Sequence, residues 1–161
     1  MDTKNSSQKQ GFDPKWDARF MQVANIVGSW SSCYQQNRQV GAVITVDKRI
    51  VATGYNGASV GIENCKQRNT CMRKDLNIKS GTMQELCYAT HAEQNAIVQA
   101  ARMGISIGGG TLYCTHQPCT ICAKLIINSG IKRVVFEKGY PDEFSTQLFS
   151  QAGVEVLQVK I

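Results

Sequence analysis

The stretch Thr111-Leu112-Tyr113-Cys114-Thr115-His116-Gln117-Pro118-Cys119-Thr120-Ile121-Cys122 decides how this chain folds, because it passes from a strand pattern directly into a helix start. Residues 111–115 read as a strand, 119–128 as a helix ending near Gly130, and 132–137 as the next strand. Asp142 then caps a helix that runs to Gln151, Gly153 follows, and 154–159 is the last strand. Two successive strand–helix–strand units imply parallel pairing through right-handed crossovers. Towards the N-terminus, a helix runs from His91 to about Met103 with Ala96, Ile97 and Ala100 on its buried face. Further back, residues 39–46 and 50–55 form two strands joined by the turn Asp47-Lys48-Arg49. Asp13 and Pro14 supply an N-cap and a first-turn residue for an opening helix. Its stripe Trp16, Phe20, Val23, Val27 and Trp30 recurs at helical spacing and is expected in the core. The predicted fold class is α/β: a three-layer α/β/α sandwich on a five-stranded mixed sheet.

At 161 residues the chain is long enough for one domain with its own core. Residues 1–11 are polar and expected to form a disordered tail, leaving 12–161 as a single domain. No run of 18 apolar residues and no signal-peptide pattern is present, so a soluble, cytoplasmic protein is expected. Seven cysteines are an odd number, and their spacing favours metal in a reducing compartment over disulfides. A net charge of +6 suits a phosphorylated substrate, without the dense basic patch that nucleic acid requires.

Two short segments carry the chemistry. His91-Ala92-Glu93 sets a carboxylate two residues after an imidazole, and Pro118-Cys119-Thr120-Ile121-Cys122 sets two thiolates one helical turn apart. One His and two Cys are three protein ligands for zinc and leave the fourth tetrahedral position to water. An open position marks a catalytic metal, whose water loses its proton near neutral pH. Glu93 is too close to His91 in sequence to be a natural fourth ligand, and it reads as the general acid/base. Each half alone would say little. A lone C-x-x-C can be a redox pair, but thioredoxin-type motifs hold their Pro between the cysteines, and Pro118 precedes them. Both segments open helices, whose N-termini lower thiolate pKa values at Cys119 and Cys122 and favour developing negative charge. Upstream, Gly54-Tyr55-Asn56-Gly57 and then Gly61 form a glycine-rich loop where backbone can approach a ligand.

With these residues in view, the chain resembles the cytidine deaminase superfamily, and within it the deoxycytidylate (dCMP) deaminase family. H-x-E followed by P-C-x-x-C is the established signature of zinc nucleobase deaminases. The resemblance runs from about Arg38 to the C-terminus. It is carried by Val40-Gly41-Ala42-Val43-Ile44, Gly54-Tyr55-Asn56-Gly57, His91-Ala92-Glu93-Gln94-Asn95-Ala96-Ile97, Thr115-His116-Gln117-Pro118-Cys119 and Ser129-Gly130-Ile131-Lys132-Arg133-Val134-Val135. It implies a cytidine deaminase-like fold, hydrolysis of dCMP to dUMP and ammonia, and a homohexamer activated by dCTP and inhibited by dTTP. Mg2+ is an optional companion of those triphosphates.

Position by position, the resemblance implies that His91, Cys119 and Cys122 hold zinc. Glu93 would carry protons to ring N3 and to the leaving amine. Asn56 would bind the sugar hydroxyl or the base edge, the Ala92 backbone the pyrimidine carbonyl, and Tyr140 the base. Arg38, Arg68 and Arg73 are all candidates for the phosphate. Gly54, Tyr55, Asn56, Gly57 and Gly61 match an effector segment, and residues 95–102 a subunit contact.

Residues 62–90 are polar, lack clean periodicity and carry Cys65, Cys71 and Cys87, and so long an irregular segment needs a staple inside a compact domain. Some relatives bind a structural zinc through cysteines or histidines before the first strand and in this insertion, which implies Cys33, Cys65, Cys71 and Cys87 here. Cys114, inside a strand, reads as a small buried hydrophobe. A tRNA adenosine deaminase is the nearest rival. It would want a basic face and a short connection after the Asn, whereas His91 lies 35 positions after Asn56. A non-enzymatic zinc module is the rival from another class, and Glu93 argues against it.

Overall fold

The computed structural model describes residues 13–139 and 142–161. The expected tail and Tyr140 therefore lie outside the described residues. The chain order is α1 (Pro14–Ser29), β1 (Gly41–Val46), β2 (Arg49–Tyr55), β3 (Gly57–Ala58), α2 (Cys65–Arg68), α3 (Met72–Asp75) and β4 (Ala89–Thr90). The second half continues with α4 (Ala92–Met103), β5 (Thr111–His116), α5 (Thr120–Asn128), β6 (Arg133–Lys138), α6 (Glu143–Gln151) and β7 (Glu155–Gln158).

Five strands form one sheet in the order β2-β1-β5-β6-β7. β1 is antiparallel to both β2 and β5, while β5, β6 and β7 are parallel, so the sheet is mixed as expected. Alternation along the strands separates two cores. Ala42, Ile44, Leu112, Cys114 and Val134 face α4, α5 and α6, where Ala96, Ala100, Ala123, Ile126 and Phe149 pack against them. Val43, Tyr113 and Val135 face the other way, onto Phe20, Met21, Ala24 and Val27 of α1. Three layers result. Cys114 is fully buried in the first core, in agreement with its reading as a hydrophobe.

Several local expectations give way. Trp30 is not core: it follows the last turn of α1, 57 % exposed, with its ring edge-on to Tyr55. The buried stripe is rotated towards Met21 and Ala24, because Gly28 and Ala24 meet β1 so closely that a Cβ on Gly41 would lie 2.0 Å from Ala24 O. Asp13 precedes α1 without capping it, since its carboxylate binds Lys48 Nζ at 3.0 Å. The β1–β2 turn has two residues, Asp47 and Lys48, both at positive φ, with Val46 opposite Arg49. The insertion contains two four-residue helices, and the β3–β4 ladder, Gly57 opposite Thr90, closes its base.

A buried ionic cluster joins α1 to the sheet. Arg133 grips Asp17 with two bonds of 2.7 Å, and Tyr113 Oη donates to Asp17 Oδ1 at 2.9 Å. Among the described residues no helix is long and apolar enough to cross a membrane.

Candidate metal centre and substrate cavity

His91 immediately precedes α4 and Cys119 immediately precedes α5, so the ends of two helices bring both ligand segments together. His91 is fixed by its backbone N–H, which donates to Gln94 Oε1 at 2.9 Å. Its Nδ1 lies 3.5 Å from Cys119 Sγ and 3.4 Å from Cys122 Sγ. Zinc–nitrogen bonds of about 2.0–2.1 Å and zinc–sulfur bonds of about 2.3 Å at tetrahedral angles would set such pairs near 3.6 Å apart. The donor set fits zinc. Among the described residues these three side chains hold their ligand atoms within 4.8 Å of one another.

The two thiols are unequal. The hydrogen bond with Cys122, and then the one with His91, pulls Cys119 down to about 4, so it is the readier thiolate. The same bond with Cys119, together with burial, pushes Cys122 up. Cys119 in turn raises the His91 imidazole, against the opposing effect of burial. Glu93 is 4 % exposed, and burial pushes its carboxyl up despite the pull of His91. A buried carboxyl with a raised pKa beside a metal trio is the profile of a proton carrier.

A cavity of about 490 Å3 opens over this group. His91, Glu93 and Cys119 line one part, Asn56 and Ala92 another, and Arg38, Arg73 and Lys74 contribute positive charge. The Asn56 amide is already engaged: Oδ1 accepts from Val40 N and Nδ2 donates to Arg38 O, both at 2.8 Å. Asn56 therefore shapes the strand entry, and its second amide hydrogen and lone pair remain for a ligand.

Residues 14–138 match the family model of the cytidine and deoxycytidylate deaminase zinc-binding region. The chain belongs to this deaminase family. It is 37 % identical to ComE operon protein 2 of Bacillus subtilis, over 91 % of this chain and 72 % of that protein. It is 36 % identical to the deoxycytidylate deaminase of Schizosaccharomyces pombe, covering 91 % of this chain but only 45 % of the yeast protein. The chain thus spans about half the length of that relative. Among solved structures, the cyanophage S-TIM5 dCMP deaminase in complex with dCMP and dUMP matches with a TM-score of 0.76 at 31 % identity. That match covers 92 % of this chain and all of the phage chain.

The remaining residues singled out in the sequence fall where packing sends them. Gly54 lies inside β2 under α4, where a Cβ would come 2.2 Å from Ala92 O, so the backbone it admits is the helix start. Gly57 belongs to β3, and Gly61 sits at positive φ with open space around it. Arg68 does not line the cavity; it stacks over Tyr88 and faces Glu63. The Arg73 guanidinium reaches the cavity wall but donates to the carbonyls of Lys79, Thr82 and Met83, fastening that loop. Arg38 donates to Ser80 Oγ at 2.8 Å and keeps further donors.

Cys33, Cys71 and Cys87 line the same cavity. Burial pushes the thiols of Cys33 and Cys65 up, and the charges of other members of the set act in the same direction. No three of them bring their Sγ atoms within 4.8 Å, unlike His91, Cys119 and Cys122.

Three residues received no site role from the sequence. Lys74 and His116 line the cavity. Asp142 was expected only to cap α6, which it does by accepting from Ser145 N at 2.9 Å. Its carboxylate also accepts from Thr120 N and Thr120 Oγ1, both at 2.7 Å. One side chain thus caps two helices, and Thr120 lies between the metal ligands. The available signal for His116 was its place at the carboxyl end of a strand, where open α/β sheets receive ligands.

Proposed function

We propose that this chain is a zinc-dependent deaminase that hydrolyses dCMP to dUMP and ammonia. The observation that carries the reading is the likeness to the phage enzyme bound to dCMP and dUMP, which extends over nearly the whole chain. Zinc at His91, Cys119 and Cys122 would supply Lewis acidity and an activated water. Glu93 would take a proton from the attacking water and deliver it to ring N3 as the oxygen adds at C4, then collect that oxygen's remaining proton and pass it to the departing amine. The α4 start presents the Ala92 N–H to the pyrimidine carbonyl, and Asn56 meets the sugar or base edge. Tyr140 is assigned to the base. Arg38 and Lys74 are the cavity cations best suited to the 5′-phosphate, since Arg73 is engaged by backbone carbonyls.

Ammonia release from dCMP, dCTP, deoxycytidine and a tRNA anticodon stem tests the assignment. dCMP should react fastest. Preferred release from the tRNA stem, or none from any substrate, would contradict it.

Two finer readings accompany this one. The chain works in the cytoplasm as a homohexamer activated by dCTP and inhibited by dTTP, with Mg2+ accompanying the triphosphates. Effector contacts come from Tyr55, Asn56, Gly57 and Gly61, with Gly54 beneath them. Exposed Val98 and Met103 on α4 offer apolar surface for subunits to cover. Sigmoidal rate curves that dCTP makes hyperbolic would support regulation; curves indifferent to both triphosphates would remove it. Second, Cys33, Cys65, Cys71 and Cys87 gather a structural zinc whose ligands draw together on binding. Two zinc ions per chain are expected by elemental analysis, and one in fully active protein would rule the second site out.

A further inference from the structure

The chain has two histidines, and both line the catalytic cavity. Only His91 has a role so far. His116 ends β5, and its Nδ1 lies 3.1 Å from Thr115 Oγ1. Thr115 is 3 % exposed, and its oxygen already accepts from Gly41 N at 3.2 Å. The hydroxyl proton then needs an acceptor that bulk water does not supply, and His116 Nδ1 is the one present. An accepting Nδ1 leaves the ring proton on Nε2. Among the described residues Nε2 has no partner, so this donor is available to whatever fills the cavity. Burial, then Lys138 and Arg38, hold the ring below its usual 6.5 against the opposing pull of Glu137, so the donor is neutral at pH 7. Arg38 lines the same cavity, and its charge reaches the ring. A neutral N–H in a cavity that a guanidinium also lines suits an anionic oxygen better than a sugar hydroxyl or a base amine.

We propose that His116 is a specificity-determining residue whose Nε2–H, together with Arg38, receives an oxygen of the substrate's 5′-phosphate. This rests on the reading of the chain as a nucleotide deaminase. His116 thereby helps the cavity distinguish nucleotide from nucleoside, and it does so without adding a further full charge.

Titration calorimetry of the zinc-loaded protein with dUMP and with deoxyuridine tests this directly. His116→Leu removes the donor at similar bulk, and His116→Gln restores an N–H. Unchanged zinc content and melting temperature check that both variants fold. The leucine variant should bind dUMP about 10- to 100-fold more weakly, the range set by one hydrogen bond to a charged group. Deoxyuridine binding should not change, and the glutamine variant should recover most of the dUMP affinity. In turnover of dCMP the loss should fall on KM rather than kcat. Unaltered dUMP binding in the leucine variant, or equal weakening of dUMP and deoxyuridine, would overturn the role of His116. Failure of the wild type to release ammonia from dCMP would count against the parent reading alone.

Discussion

Cys119 and Cys122 stand at the first turn of a nine-residue helix packed on the sheet, whereas Cys65 and Cys71 stand at four-residue helices in an insertion that is mostly exposed. The first pair meets His91 at near-ligand distances, whereas no three of the second set bring their ligand atoms within 4.8 Å. Secondary structure accounts for the difference. A long helix start fixes the direction of two side chains one turn apart, and Asp142 holds that start from outside. Short helices joined by turns fix much less. The His91–Cys119–Cys122 centre is therefore preorganised by the core, and the cysteine set of the insertion is not.

The largest effect should come from Cys119→Ala, which removes a ligand from the preorganised site. Zinc at that site and dCMP turnover should both fall to background, measured by elemental analysis and ammonia release. Retained activity would break the contrast at its stronger end.

Next, Asp17→Ala would strike the frame that carries the trio. It leaves Arg133 buried without its carboxylate, a change that costs about 3–5 kcal/mol in comparable buried pairs. Denaturant melts should show that loss, with kcat per folded molecule unchanged.

Asp142→Ala should cost less, about 1–2 kcal/mol from caps at two helix starts, and it should speed zinc transfer to a chelator. Burial raises the Asp142 carboxyl, yet the N–H of Ser145 and the two Thr120 donors outweigh it and hold the group below 3.8. Its stabilisation is therefore present at neutral pH and is lost as the pH falls through that lowered value. The difference in stability between wild type and Asp142→Ala should shrink in acid; a difference constant with pH would refute the cap.

Smallest for the core, and most informative about the insertion, is Cys71→Ser. It should remove about one zinc per chain by the ligand count and open residues 62–90 to proteolysis, with a modest loss of activity because this segment leads into His91. Unchanged proteolysis would show that turns and the β3–β4 ladder suffice to hold it.

How much was legible beforehand follows the same division. Strands and helices from residue 91 onward were readable because periodicity and capping residues act locally, and the ligand trio was readable because its spacing is tied to helix starts. Trp30 was misread because helical spacing alone does not say which side of the stripe meets the sheet; the close approach of Ala24 and Gly28 to Gly41 decides that. Asp17 with Arg133, and Asp142 with Thr120, were invisible for another reason: each pair joins distant segments, and a charged residue in a sequence looks the same whether solvated or buried. The insertion's short helices lay below the length at which periodicity can be detected.

Glu93→Ala tests the central claim most directly, with zinc content and dCMP turnover measured on the same sample. Glu93 is assigned proton transfer and no metal ligation, so zinc should remain at the trio while the rate falls about 100- to 10,000-fold. A variant that keeps more than about a tenth of wild-type turnover would contradict the role assigned to Glu93, and one that loses its zinc would contradict the separation of ligand from proton carrier.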